Sequence, residues 1–269
     1  MLIRSAILLL AAPALVSAAP RLPRVVSINP CLDAVLRYVA DPAQITGISH
    51  YSQDARATSV PLGWARRFKA TSGTAEEVVA LRPDIVLAGP HVEPATIAAL
   101  KRLKIRLVQY PVAETVPESM AQVREIAAAT GHADRGRALA ARIAAAATPA
   151  RVSPVKALVW QGNGLVPGGG TLTDDLLNRA GFRNMSAAYG LRQWDVLPLE
   201  YLVADPPRVL LSTAPQGVQD DRMTSHPAVR RLARHITVAS YPTRLMNCGG
   251  PTIIAAMARL RQVRAQVTS

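Results

Sequence analysis

Aromatic side chains are scarce in this 269-residue chain, at 4%, with only two phenylalanines. A core built without them must rest on Ala, Val, Leu and Ile, and 49% hydrophobic residues is enough for one large domain or two modest ones. Lysine is also rare: of 31 basic residues only Lys69, Lys101, Lys104 and Lys156 are lysine, against 18 acidic ones, for a net charge of +13. Arg- and Ala-heavy usage of this kind also follows from a GC-rich genome. No run of five or six basic residues with interleaved aromatics exists, so no nucleic-acid partner is expected. The charge points instead to an anionic ligand or an anionic membrane surface. Beyond the N-terminus no stretch approaches the ~18 uninterrupted apolar residues of a membrane span. The chain lacks G-x-S-x-G and H-E-x-x-H, and nothing brings a serine, a histidine and an acid together, so neither an enzyme nor a bound cofactor is expected.

The N-terminus reads as an export address. Arg4 gives a basic start, Ala6 to Val16 is an apolar run too short for a stable anchor, and Val16-Ser17-Ala18 offers small residues for cleavage after Ala18. Residues 1–18 are therefore read as a signal peptide, with an uncleaved anchor as the competing reading. No cysteine follows at a lipid-attachment position, and the mature protein is placed in the periplasm. Export changes the meaning of the two cysteines, Cys31 and Cys248. In an oxidising compartment they form one disulfide or else ligate a metal as thiolates. A bridge between lobes would tether a cleft; a bridge within one lobe would only staple it.

Short β-branched runs alternate with helical patterns. Strands are expected at 24–28, 44–48, 84–88, 105–109, 156–161, 208–212 and 236–240, and helices at 74–81, 94–103, 171–180 and 251–263. This rhythm predicts an α/β fold of parallel sheets covered by helices. It breaks at 116–150, where Thr115 and Glu118 make a capping box and two helical stretches flank Gly131. The expected organisation is an N-terminal lobe at 19–115, a connecting helical segment at 116–150 and a C-terminal lobe at 151–269: two Rossmann-like lobes with parallel sheets joined by a long connecting helix.

Ligands of such sheets bind beyond the carboxyl ends of the strands. The candidate ligand-binding residues are accordingly Asn29, Cys31, Asp33, His50, Tyr51, His91, Gln161 and Cys248 in post-strand loops. Trp64 and Trp194 join them as flat stacking surfaces, although either ring could equally anchor its own loop. Arg192, with Arg66 and Arg67, could pair with carboxylates. Trp160 ends an apolar strand and reads as core. The Gly-rich stretch 162–170 lacks the Gly-Lys-Ser/Thr ending of a phosphate loop and reads as a cleft loop whose following helix could receive an anionic group, or as a plain connector. His50 and His91 could join Asp33 or the cysteines around a metal, but no ligand spacing supports this, and no metal site is expected. His132, His226 and His235 flank helices and read as structural.

Thr74-Ala75-Glu76-Glu77-Val78-Val79-Ala80-Leu81-Arg82-Pro83-Asp84-Ile85-Val86 resembles the helix-to-strand segment of helical-backbone periplasmic binding proteins, which serve ABC importers of cobalamin, ferric siderophores and haem. Val25–Pro30, Leu172–Asn184 and the segments at 198–202 and 206–210 are similar to other parts of that family. Asn29-Pro30-Cys31 and Cys248-Gly249-Gly250-Pro251 resemble its cobalamin-binding-like branch. The resemblance implies a monomeric receptor that captures a metal chelate, cobalamin or a ferric siderophore, and hands it to an ABC transporter permease. It also implies that Glu76 and Glu200, one per lobe, dock onto permease arginines. The remaining alternatives are a free-metal or haem receptor using cleft His, Cys and Asp, and an enzyme on the same bilobal fold.

Overall fold

The computed structural model describes residues 21–161, 164–213, 227–232 and 235–267; the signal segment and His226 lie outside them. The strands are β1 (Val25–Ser27), β2 (Ile45–Ser49), β3 (Ala70–Thr71), β4 (Ile85–Ala88), β5 (Arg106–Gln109), β6 (Val155–Trp160), β7 (Leu165–Pro167), β8 (Phe182–Asn184), β9 (Trp194–Val196), β10 (Val209–Ser212) and β11 (Thr237–Ser240). The helices are α1 (Pro30–Val39), α2 (Leu62–Ala65), α3 (Ala75–Ala80), α4 (Pro94–Arg102), α5 (Val116–Ala129), α6 (Ala133–Ala146), α7 (Leu172–Arg179), α8 (Met185–Ala188), α9 (Leu199–Ala204), α10 (Pro227–Leu232) and α11 (Thr252–Val267).

Two parallel sheets form the two lobes, in the orders β3-β2-β1-β4-β5 and β11-β10-β6-β8. Their central strands β1, β4 and β10 are buried on both faces, which is why they lack alternation. Successive residues still part company by face. Val25, Ile85 and Leu87 of the first sheet join Ala157, Val159, Val209 and Leu211 of the second in one continuous core. Val26 and Val86 pack on the opposite side with Val78 of α3 and Leu100 of α4. Leu158, Trp160 and Leu210 pack outward in the second lobe. A core shared between the sheets makes the lobes mechanically coupled.

The connecting segment is helical along both arms and folds back on itself as a hairpin of α5 and α6, each fourteen residues and about 21 Å long. Its two helices pack closely because Gly136 faces Ala127, where a Cβ would come within 2.4 Å of the Ala127 Cβ. The tip is pinned to the first lobe: Gln44 donates to the Thr130 carbonyl at 2.9 Å, and His132 Nε2 lies 2.6 Å from the Gln44 amide oxygen. At the other end Asp175 of α7 accepts from the Val116 amide at 2.8 Å, so a second-lobe carboxylate satisfies the first turn of α5. His132 is thus structural, while His235 is exposed.

Cys31 and Cys248 are joined in a disulfide, with their Cα atoms 5.0 Å apart. Cys31 lies in the first turn of α1 in the first lobe, and Cys248 precedes α11 in the second. The bridge therefore crosses between lobes, and thiolate ligation of a metal is unavailable to either sulfur. Beside it Gly249 packs on Ser119, where a Cβ would meet the hydroxyl oxygen at 2.6 Å, and that hydroxyl accepts from the Gly250 amide at 2.7 Å. A loop closed over 217 residues gains much from a covalent closure. The double variant Cys31→Ser/Cys248→Ser should lose about 2–5 kcal/mol in denaturant unfolding under oxidising conditions. An unchanged midpoint would mean that the shared core alone holds the lobes together.

Candidate functional site

In each sheet the chain reverses direction of growth beside its first strand: between β1 and β4 in one lobe, and between β6 and β10 in the other. Crevices open beyond the carboxyl ends of the strands at such points. Asn29 follows β1, Gly89 and Pro90 follow β4, and Gln161 follows β6; all four line one interlobe cleft of about 550 Å³. The segment after β11 contributes Met246, Asn247 and Cys248, so the disulfide forms part of the floor. This volume suits a small-molecule site.

Local structure fixes each contributor. Asn29 is the N-cap of α1, its side-chain oxygen accepting from the Cys31 amide at 2.9 Å, with Pro30 in the first turn. Asn29-Pro30 is thus a helix start, and what reads as a post-strand loop at 29–33 is helical from Pro30 onward. Tyr110, directly after β5, is 3% exposed, and burial followed by the nearby Glu125 charge raises its phenol to about 12, so it stays neutral. Gln122 of α5 donates to the Pro111 carbonyl at 2.7 Å. The β7–β9 ribbon is the one antiparallel pairing among the described strands, and it holds Trp194 at the cleft, 42% exposed.

The cleft is rich in carboxamides, from Asn29, Gln122, Gln161, Gln193 and Asn247. Among the described lining residues Glu114 is the only acidic side chain, and no Lys, Arg or His is present. The basic residues among the described part of the chain therefore lie outside the cleft lining. The N-terminus of α7 is not an anion seat either. Thr171 accepts from the Asp174 amide, and Asp174 and Asp175 already occupy the first turn. Asp175 is further paired with Arg179 at 2.8 Å.

Of the residues the sequence singles out, Asn29, Cys31, Gln161, Trp194 and Cys248 come together in this cleft, and Tyr51, His50, Trp64, His91, Arg192 and Asp33 do not line it. His50 and Tyr51 are exposed and stacked on each other, with ring centroids 4.0 Å apart, and His50 Nδ1 sits 3.2 Å from the Thr71 carbonyl. Trp64 packs against Phe68 and the core as a local plug. His91 is exposed just beyond Pro90, and Arg66, Arg67 and Arg192 are exposed. Asp33 is fully buried on the core face of α1, accepting from the Ser49 amide at 3.0 Å and the Ser52 hydroxyl at 2.6 Å. Glu76 and Glu200 are exposed in the first turns of α3 and α9, one on each lobe. Sequence reasoning missed Tyr110, Glu114, Gln122, Gln193 and Asn247. The signal for Tyr110 was its place directly after a strand; the others follow only from tertiary packing.

A family model described as periplasmic binding protein matches residues 25–234. A cobalamin-binding protein from Halobacterium salinarum is 25% identical over 259 residues, spanning 88% of this chain and 68% of that protein. The periplasmic heme-binding protein RhuT from Roseiflexus sp. RS-1 superposes with a TM-score of 0.70 at 20% identity, covering 89% of this chain and 98% of that one. The vitamin B12-binding protein BtuF of Vibrio cholerae gives a TM-score of 0.70 at 13% identity, covering 93% and 100% respectively. At these identities the structural likeness establishes the fold alone.

Asp33 gives the first lobe a measurable pH dependence. Burial raises its carboxyl to about 7, outweighing the opposing influence of Ser27, Ser52 and the Ser49 amide. Its Oδ1 has no hydrogen-bond partner, which the protonated acid tolerates better than the anion. The folded chain thus holds this proton more tightly than the unfolded chain, whose Asp titrates near ~4. The contribution to stability is complete below about pH 4 and is lost as pH rises through about 7. Between pH 5 and 8 the urea midpoint of the wild type should fall more steeply than that of Asp33→Asn. Parallel slopes would show that Asp33 titrates normally.

Proposed function

The chain belongs to the periplasmic binding protein family, and from that membership we propose that it is the exported receptor of an ABC importer. In this reading residues 1–18 are removed, 19–115 and 151–269 are the lobes, and 116–150 connects them. A metal chelate, cobalamin before a ferric siderophore, is captured in the interlobe cleft and delivered to the inner-membrane permease by the monomeric receptor. No bond is made or broken.

The observation that carries the choice of ligand is the amide-rich lining, which among the described residues holds no cation. Haem carries two propionates, and many ferric chelates are anionic; burying such groups calls for cationic partners. Cobalamin presents a flat macrocycle fringed by carboxamides, which suits Trp194 for stacking and Asn29, Gln122, Gln161 and Asn247 for hydrogen bonding. The cobalamin-binding relative supports the same assignment. The free-metal reading loses its thiolates to the disulfide. An enzyme built on His50 and Asp33 loses its pair, one exposed and one enclosed.

A useful scavenger needs a Kd of about a micromolar or tighter, roughly −8 kcal/mol. Calorimetry of the mature protein against cyanocobalamin, haem, ferric siderophores and free divalent metals should show such binding for cyanocobalamin. Trp194→Ala should weaken it by about tenfold, as the loss of one stacking face implies. Tight binding of haem alone would overturn the ligand choice. Delivery rests on Glu76 and Glu200, two carboxylates whose spacing reports the arrangement of the lobes. Reversing both to Arg should leave binding intact and abolish uptake with the permease; undiminished uptake would remove them from docking.

A further inference from the structure

Glu114 and Gln193 meet across the cleft. Glu114 precedes α5, and Gln193 precedes β9 of the second lobe. The Gln193 side-chain amide donates to the Glu114 carboxylate at 3.0 Å and to the Gly170 carbonyl at 3.1 Å. Both residues line the cleft.

Each partner is held in place by backbone. The Glu118 carboxylate accepts from the Glu114 amide at 2.9 Å, and Thr115 caps α5 by accepting from the Glu118 amide. This arrangement presents Glu114 in front of the first turn. Gln193 has a left-handed backbone, φ +56°, uncommon for a residue other than glycine. It is retained by hydrogen bonds on both sides of its peptide: its amide donates to the Gly169 carbonyl at 2.9 Å, and its carbonyl accepts from the Gly168 amide at 2.6 Å. Backbone strain held at a cleft is a feature of ligand sites.

The chemistry of the pair is specific. Gln193 ends in a primary carboxamide, and Glu114, the only acidic side chain among the described lining residues, accepts from its NH2. We propose that Glu114 is a specificity-determining acceptor for a primary carboxamide of the ligand, and that Gln193 occupies it as an internal surrogate until the ligand displaces it. The inference rests on the function proposed above and deepens it, for it names the functional group that is read. A carboxamide replaces Gln193 group for group. A carboxylate in the same place meets Glu114 as a like charge and brings no donor. Displacement vacates the rim beside Trp194 while the backbone of the turn stays hydrogen-bonded, so release of the surrogate and stacking on the ligand occur at one place.

The test compares dicyanocobinamide, which carries primary carboxamides, with dicyanocobyrinic acid, which bears carboxylates on the same dicyano corrin ring and likewise lacks the nucleotide. Binding of each is measured by calorimetry to the full mature protein and to two variants. The wild type should prefer the amide probe by at least about tenfold, the scale of one hydrogen bond to a charged group. Glu114→Gln should weaken the amide probe and tighten the acid, bringing them within about threefold. Gln193→Asn keeps a residue that tolerates the left-handed backbone but is one methylene too short to reach Glu114. It should bind the amide probe about threefold or more tighter, because the competitor is gone. Equal affinity of the wild type for both probes, or an unaltered preference in Glu114→Gln, overturns the role of Glu114 and leaves corrinoid capture standing. Binding of neither probe overturns both.

Discussion

Two points 217 residues apart in the chain are held together at the floor of the cleft by the Cys31–Cys248 bond, and the rest of the site is arranged around it. The bond joins the first turn of α1 to the segment entering α11, while Ser119 of the connecting hairpin grips the adjacent Gly250 amide. Together with a core that runs from one sheet to the other, this leaves no hinge at the floor. The crossings at the rim are weaker: the Ser59 hydroxyl on the Arg244 carbonyl at 3.2 Å, and Gln193 on Glu114 at 3.0 Å. A cleft closed below and hydrogen-bonded above has most of its geometry in place before a ligand arrives, which lowers the ordering cost of binding.

The electrostatics divide in the same way. A chain of net charge +13 surrounds itself with a positive field, yet the described lining of its cleft holds no cation. Exposed charges act over about a Debye length, ~8 Å at physiological salt, so the arginines outside influence approach far more than bound-state contact. Selection is therefore made at contact, by dipoles and by the one carboxylate of the described lining, Glu114. Amides, a neutral buried phenol and a thioether hydrogen-bond or pack without forcing a charge out of water. Such a lining discriminates by the placement of donors and acceptors. An anionic ligand drawn in by the field would find no cation among the described lining residues.

Much of the fold was legible because its central strands are buried and rich in β-branched residues. The seven runs expected from β-branched residues all coincide with strands to within a residue or two, and the parallel arrangement follows from their alternation with helices. The pairings that escaped, β3, β7, β8 and β9, are two or three residues long and owe their existence to neighbours that no local pattern specifies. α1 escaped for a different reason. Asn at the N-cap and Pro in the first turn are a local start signal, and reading 29–33 as loop led to Asp33 being assigned to the cleft. With the helix recognised, Asp33 falls on the face of Leu32, Leu36 and Val39, and its burial follows. The site was half legible. Residues at strand ends, such as Asn29 and Gln161, were found by rule. Glu114 and Gln193 were not, because their meeting depends on how the connecting hairpin and the β7–β9 ribbon pack.

The difference in strength between floor and rim decides where a ligand can do work. A binding free energy of roughly −8 kcal/mol is enough to break one charge-assisted hydrogen bond, about 1.5–3 kcal/mol, and still hold the ligand. It cannot separate a hydrophobic core that spans both sheets, let alone a covalent bond. In the proposed reading, ligand-driven change is thereby confined to the side chains of Gln193 and Trp194. The spacing of Glu76 and Glu200 is set by the sheets beneath them rather than by the rim. In the proposed reading Glu76 and Glu200 offer a partner a fixed spacing, and occupancy reaches it through the rim, where the released Gln193 side chain and the exposed edge of the ligand lie side by side.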